Sequence, residues 1–196
     1  MIPSICRTQG GLLSLFYSVK RALTFRSQGV GPTPVGTIEL IEEAEEDGVA
    51  SPVLELTSDD VRQTYISCPR GASRTLGIKK PMLGLVIKYI DRYLTLEVAV
   101  QDHLGCEKFI RVSNFEIKAK RHDSIATLPL QLQDGWNLVQ LDLRDLTFRA
   151  FGTKYAETNR VTIHANCRLR RVYFTDQPQA EDSFPPEFRL YQRVSV

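Results

Sequence analysis

Alternation of apolar and polar residues limits this chain to a structure built mainly from β-strands. The segments Leu94–Val100, Leu128–Leu132 and Val139–Leu143 each place an apolar residue at every second position. A period of two is typical of a strand with one buried face. Gly, Pro and Asp punctuate the intervening segments, and little of the chain has helical spacing. Many short strands of this kind predict an all-β antiparallel sandwich or barrel.

Local signals predict how some of these strands are joined. Asp134-Gly135 separates Leu128–Leu132 from Val139–Leu143, and this dipeptide is typical of a two-residue hairpin. We therefore expect these two strands to pair with each other. The segment Arg144–Gly152 predicts one or two helical turns that end at the glycine.

The apolar pattern of the last strand slips by one position. Cys167 and Leu169 share one face, but Val172 and Phe174 fall on the opposite parity. One extra residue near Arg170–Arg171 restores the alternation. The sequence therefore predicts a β-bulge at that point.

The segment 26–50 predicts a mobile loop within a single domain spanning residues 1–196. Gly and Pro are frequent in its first half, and Glu39–Asp47 then holds six carboxylates. The acidic run is interpreted as a solvated loop or short helix, with contact to a basic partner as the alternative. Charge is unevenly distributed along the chain. Residues 1–60, which include this acidic run, carry a net charge of −5, and residues 61–196 carry a net charge of +7. The basic body of the chain makes an acidic partner surface plausible.

Composition and spacing give little support to catalysis, metal binding or a membrane location. The four cysteines lack C-x-x-C spacing, so we expect reduced thiols in a cytosolic chain. His103, His122 and His164 are interpreted as surface or hydrogen-bonded residues, since no pair has metal-ligand spacing. No segment has the roughly 20 apolar residues of a membrane span. We expect no enzyme, no cofactor, no metal, no nucleic acid and no membrane contact.

The candidate binding residues are cationic or aromatic. Trp136 follows the Asp134-Gly135 turn, and it fits either a core or rim position or a stacking platform for a sugar or a proline. Alternation places at least Arg168 and Arg170 on one face, which fits either a solvated face or a contact with an anionic surface. The full set of partner-binding candidates is Arg168, Arg170, Arg171, Lys118, Lys120, Arg121 and Trp136.

Several blocks of this sequence resemble one family. The matching blocks are Gly11–Ser18, Tyr65–Pro69, Thr75–Lys79, Asp134–Asn137, Arg149–Thr153, Val161–Asp176 and Pro186–Tyr191. In this order they are similar to the cilia- and flagella-associated protein 20 family, the small inner-junction proteins of axonemal doublet microtubules. The chain departs from that family between Ser18 and Val53 and between Phe115 and Thr127. It is therefore compatible with a divergent orthologue and with a paralogue.

The resemblance implies a jelly-roll-like β-sandwich, similar to carbohydrate-binding modules, with one or two short helical inserts. It also implies a structural protein in the axoneme of cilia and flagella, with the basal body as a further location. There it would contact α/β-tubulin and the Parkin co-regulated protein, link the A- and B-tubules and support motility and doublet stability. The alternative is a carbohydrate- or ligand-binding β-sandwich that uses Trp136.

Overall fold

The computed structural model describes residues 7–9, 12–17, 36–44, 50–71 and 73–179. Most of these residues form strands, and one helix lies between the eleventh and twelfth strands. In chain order the elements are β1 (Arg7–Gln9), β2 (Leu12–Tyr17), β3 (Gly36–Ala44), β4 (Ala50–Ser58), β5 (Tyr65–Cys68), β6 (Met82–Tyr89), β7 (Thr95–Asp102), β8 (Glu107–Ser113), β9 (Lys120–His122), β10 (Ile125–Pro129), β11 (Gly135–Asp142), α1 (Leu143–Phe151), β12 (Tyr155–His164) and β13 (Cys167–Thr175).

The strands form two sheets. In sheet A, β13 lies between β6 on one side and both β4 and β2 on the other, while β11, β3 and β1 occupy the edges. Sheet B has the order β5–β12–β7–β8–β10–β9. Neighbouring strands are antiparallel except β8 and β10, which are parallel. The strand-rich fold predicted from the alternation is confirmed.

The two sheets face each other across one hydrophobic core. Leu83 and Leu169 from sheet A, and Val98, Ile110 and Ile163 from sheet B, are fully buried members of the same cluster. Inward-facing side chains of both sheets therefore fill the space between them, as in a β-sandwich. The antiparallel jelly-roll-like sandwich is thus the correct fold class.

The bulge and the helix lie where the sequence predicts them. Leu169 pairs with Ile87 and Arg171 with Val86, so Arg170 is an extra residue in β13. Helix α1 begins after Asp142, whose Oδ1 accepts hydrogen bonds from the backbone N–H groups of two following residues. It ends at Gly152, which has φ 72° and donates its N–H to a carbonyl of the last turn. Both features depend on local chemistry.

The predicted hairpin at Asp134-Gly135 is wrong. Strand β10 belongs to sheet B, where it pairs with β8, and β11 belongs to sheet A, where it pairs with β6. The turn itself is present, because Gly135 has φ 82° and the Asn137 side chain bonds to backbone atoms of Gln133. The chain uses this turn to cross between the sheets. The dipeptide predicts the turn but not the partners of the strands that flank it.

The loop predicted over 26–50 is partly wrong, and the basic segment 118–123 contains a strand. Within the first segment, residues 36–44 form β3 and pair with β4 over its whole length; residues 26–35 and 45–49 lie outside the described residues. Within the second, residues 120–122 form β9 at the edge of sheet B. Backbone pairing with a neighbouring strand stabilises these charged segments, and charge alone does not exclude an edge strand.

Candidate functional site

Polar side chains form a row across the outer face of sheet A. Directly opposed residues in neighbouring strands are Trp136, Lys88, Arg168, Glu55 and Glu39. Opposed residues of a sheet point to the same face, so this row crosses five strands on one face. Its centre is Arg168, the first residue of the predicted arginine group.

Arg168 is held by carboxylates. Its Nε donates to Glu55 Oε1 at 2.7 Å, and its Nη1 lies 3.4 Å from Glu43 Oε1. Lys88 forms an ion pair with the same Glu43 oxygen. The hydrogen bond to Glu55, assisted by the charge of Glu43, raises the pKa of Arg168 above its ordinary value. These contacts neutralise Arg168 within the sheet.

Arg170 covers one face of Trp136. Its guanidinium carbon lies 4.3 Å from the ring centroid, and its Nη2 donates to Ser51 Oγ at 3.1 Å. A cation in this position is attracted by the ring electrons. This face of the half-buried indole is therefore occupied by the chain itself, so a sugar or a proline could stack only on the other face.

The prediction that Arg171 belongs to an exposed cationic cluster is wrong. Its side chain is only 1% exposed, although it lies on the sheet face opposite the core. Because Arg170 is the extra residue, Arg171 lies opposite Val86, which is also buried. The bulge therefore separates the three arginines into an ion-paired, a stacked and a buried residue.

The second basic group lies on a different sheet. Lys118, Lys120 and Arg121 are exposed at and before β9, the edge strand of sheet B. Lys120 Nζ pairs with Glu116 Oε2 at 2.6 Å, and Arg121 Nη1 donates to the Ala150 carbonyl at 3.0 Å. The latter bond ties β9 to α1. This group remains accessible to a partner, unlike Arg168 and Arg171.

A third group of arginines was not identified from the sequence. On the outer face of sheet B, Arg160 lies opposite Ala99, and Ala99 lies opposite Phe109. The small side chain of Ala99 leaves a depression between two long ones. A groove of about 480 Å³ lies here. We name it the sheet-B groove, and it is lined by Tyr65, Ala99, Phe109, Asn159, Arg160, Arg70 and Arg74.

Arg160 bonds only to neutral oxygens. Its Nη1 donates to the Pro69 carbonyl at 2.5 Å, and its Nη2 donates to the carbonyls of Gly71 and Arg74 at 2.7 Å and 2.9 Å. These bonds hold Pro69, Gly71 and Arg74 of the 69–74 loop beside the middle of β12. No carboxylate pairs with Arg160 in the described part of the chain. Extending the Val161–Ala165 alternation back by one position would have placed Arg160 beside Thr162 on the polar face.

The histidines and thiols are arranged as ordinary structural groups. Nδ1–H of His164 donates to the Val61 carbonyl at 2.9 Å, and burial lowers the pKa of His164. His103 Nδ1 accepts the backbone N–H of Lys154. Cys68, Cys106 and Cys167 are free thiols, and Cys6 lies outside the described residues. In the described part of the chain, no three His, Cys, Asp or Glu side chains converge as a metal site.

The helix present in the structure does not suit a membrane span. Over the described ranges, no helix is long and apolar enough to cross a bilayer.

The molecule is thus an all-β sandwich with an internally neutralised sheet face and a separate basic edge, an architecture shared by proteins of many functions. The family model described as the CFA20 domain matches residues 6–192. This chain belongs to the CFA20 domain family.

Named relatives match along nearly their whole length. "Cilia- and flagella-associated protein 20" of Chlamydomonas reinhardtii is 41% identical over 184 residues, covering 93% of this chain and 94% of the relative. Its counterpart in Paramecium tetraurelia is 38% identical, with 93% of each chain covered. That of Caenorhabditis elegans is 36% identical, covering 93% of this chain and 88% of the relative. The family resemblance read from the sequence blocks is confirmed.

A solved exo-beta-agarase structure is similar over 89% of this chain and 26% of the agarase chain. The sequence identity is 10% and the TM-score is 0.41. A similarity of this size supports no conclusion about ligands.

Proposed function

We propose that this chain is a non-enzymatic structural protein of cilia and flagella, located at the inner junction of axonemal doublet microtubules. The observation that carries the proposal is the near end-to-end match with proteins named cilia- and flagella-associated protein 20. In this role the sandwich links the A- and B-tubules and supports motility and axoneme stability. Its proposed partners are α/β-tubulin and the Parkin co-regulated protein.

The charge distribution supports an acidic partner. Residues 61–196 carry a net charge of +7, and microtubule surfaces are acidic. Of the two basic groups predicted from the sequence, only Lys118, Lys120 and Arg121 are all exposed. They lie at an edge strand, where a partner can approach the backbone as well as the side chains. We assign docking to this group, which we name the β9 group, and assign Arg168 and Arg171 to stability.

The test is reconstitution onto doublets stripped of inner-junction proteins. The variant Lys118→Ala/Lys120→Ala/Arg121→Ala should bind about tenfold more weakly than wild type, since three exposed charges are lost. Wild-type binding should also weaken as salt is raised, because exposed charges are screened over about 8–10 Å at physiological ionic strength.

A matched control removes the same charge elsewhere. The variant Arg62→Ala/Arg92→Ala/Lys154→Ala changes three other exposed cations, and it should dock within about twofold of wild type. Equal losses in both variants would assign docking to overall charge. Equal, salt-insensitive docking of all three proteins would overturn the role of the β9 group.

A further inference from the structure

The sheet-B groove is a concave surface lined by three arginines that the proposed function leaves unused. Arg70 and Arg74 are exposed at its rim, and Arg160 lies beside them and donates only to neutral oxygens. The single carboxylate among the lining residues is Glu107. Three guanidinium groups against one carboxylate favour an anionic ligand.

The rim arginines are available for a ligand. Within the described ranges, the side chains of Arg70 and Arg74 form no hydrogen bond and no ion pair, whereas Arg111 on the same sheet face is bound by Glu97 at 2.6 Å. The 69–74 loop that carries them is held by the Arg160 guanidinium. Arg70 and Arg74 therefore project from a loop whose backbone is already held in place, which reduces the conformational entropy lost on binding. Arginine pairs with carboxylates through two parallel N–H donors.

The buried side-chain amide of Asn159 favours a peptide over a phosphate or sulfate ion. Asn159 lines the groove and is 9% exposed. Its Nδ2 donates to Glu107 Oε1 at 3.2 Å, while its Oδ1 has no hydrogen-bond partner among the described residues. A carbonyl oxygen of this kind requires an N–H or O–H donor. A peptide backbone supplies N–H groups, whereas phosphate and sulfate ions at neutral pH supply mainly acceptors.

We propose that the sheet-B groove binds an acidic peptide segment of a partner protein. Carboxylates of the segment pair with Arg70 and Arg74, a backbone N–H is directed towards Asn159, and the chain lies in the depression above Ala99. A volume of about 480 Å³ is within the range of about 300–1,000 Å³ found for ligand sites. This inference adds to the proposed function a second contact, distinct from the β9 group. It rests on the proposed function because it assumes an acidic partner.

Fluorescence anisotropy with a labelled oligoglutamate peptide and the full chain tests the site. We expect saturable binding that weakens with salt, and no binding of an oligoglutamine peptide of the same length. Arg70→Ala/Arg74→Ala should weaken binding at least about tenfold, because two charge-assisted contacts are lost. Ala99→Leu, which fills the depression without changing charge, should weaken it comparably.

Controls separate the groove from overall charge. Arg144→Ala/Lys154→Ala removes two exposed cations that do not line the groove, and it should bind the peptide within about twofold of wild type. Equal losses in both double variants would overturn the site. Tighter binding of inorganic polyphosphate than of the peptide, lost in Arg70→Ala/Arg74→Ala, would replace the peptide with a phosphate ligand and so overturn the proposal.

The two proposals fail in different ways. If wild type docks on stripped doublets but does not bind oligoglutamate, the groove proposal fails and the structural role stands. If the chain binds oligoglutamate through the groove but does not dock on doublets, the proposed function fails. Urea unfolding of Arg70→Ala/Arg74→Ala should match wild type, because both side chains are exposed and make no contact that stabilises the fold.

Discussion

The two sheets use arginine in opposite ways on their outer faces. On sheet A, Arg168 is paired with Glu55 and Glu43 and Arg171 is buried. On sheet B, Arg160 bonds to neutral carbonyls, and Arg70 and Arg74 project from the loop that it holds. These arginines of sheet A are thus neutralised or buried, whereas those of the sheet-B groove leave a positive charge without a carboxylate partner in the part of the chain that the structure describes.

Arginines that are clustered in sequence are therefore not always accessible on the surface. Arg168, Arg170 and Arg171 are nearly consecutive, and a strand should present at least two of them together. The acidic β3 and β4 instead supply the counter-charges for Arg168, and the bulge at Arg170 redirects Arg171. Arg160 is far in sequence from Arg70 and Arg74, but all three line one groove. Whether an arginine is free depends on the carboxylates that the topology brings to it.

The largest expected effect is on the sheet-A side. Arg168→Met should lower the free energy of unfolding by about 2–3 kcal/mol, because Glu55 loses its cationic partner and Glu43, which is 9% exposed, keeps only Lys88. Urea unfolding measures the change. Glu55→Gln in the same chain should recover part of the loss, since the carboxylate left without a cation is then removed while Glu43 keeps its pairing with Lys88. A loss below about 0.5 kcal/mol would show that the network is only a surface feature.

A smaller effect is expected at Arg160. Arg160→Met removes the donors to Pro69, Gly71 and Arg74, and hydrogen bonds made by a charged group contribute about 1.5–3 kcal/mol. We expect a loss of about 1.5–2 kcal/mol, with faster amide hydrogen exchange confined to the loop that holds Arg70 and Arg74. Weaker oligoglutamate binding should accompany it.

Arg111→Met is the matched control for that change. Arg111 also lies on the outer face of sheet B, but it forms a partly exposed ion pair with Glu97. Its loss should cost at most about 1 kcal/mol and leave exchange in the loop unchanged. If the two variants behave alike, the bonds from Arg160 to the carbonyls do not order the loop.

Features set by residues close together in sequence were predictable, and features set by distant residues were not. The strands, the capped helix and the bulge at Arg170 were predictable, because alternation, an Asp N-cap and a parity slip act within a few residues. The hairpin at Asp134-Gly135 was not, since β10 finds its partner in β8 and β11 finds its partner in β6. Residues 36–44 were assigned to a loop because their carboxylates look solvated. Pairing with β4 and contacts from Glu43 to Lys88 and Arg168 are long-range.

The same distinction applies to the candidate sites. The β9 group was predictable because a short basic run at an edge stays exposed. The sheet-B groove was not, because its floor depends on three strands meeting at Ala99 and its rim on a loop that Arg160 holds. Arg160 lies 86 to 91 residues from the loop carbonyls that it binds, so only the tertiary structure connects them.

The smallest expected effect is a pH dependence that belongs to sheet B alone. His164 lies on the outer face of β12, with its ring 5.2 Å from that of Tyr65 and its Nδ1–H donating to Val61. Burial lowers the pKa of His164 below its ordinary value of about 6.5, against smaller effects of the Val61 carbonyl and Glu97 that raise it. The unfolded chain therefore binds this proton more readily than the folded chain.

Stability should consequently be level above about pH 7 and fall as the pH drops below about 6.5, where only the unfolded state gains the proton. Urea unfolding at intervals between about pH 7.5 and 5.5, a range above the ordinary carboxylate pKa values, measures the slope. His164→Asn should flatten it, whereas His122→Asn, which changes an exposed histidine, should leave it unchanged. Arg168→Met should shift the whole curve downwards without altering its slope, because the Arg168 network of Glu43, Glu55 and Lys88 contains no histidine. A slope that persists in His164→Asn would assign the pH dependence to another group and remove this contrast between the sheets.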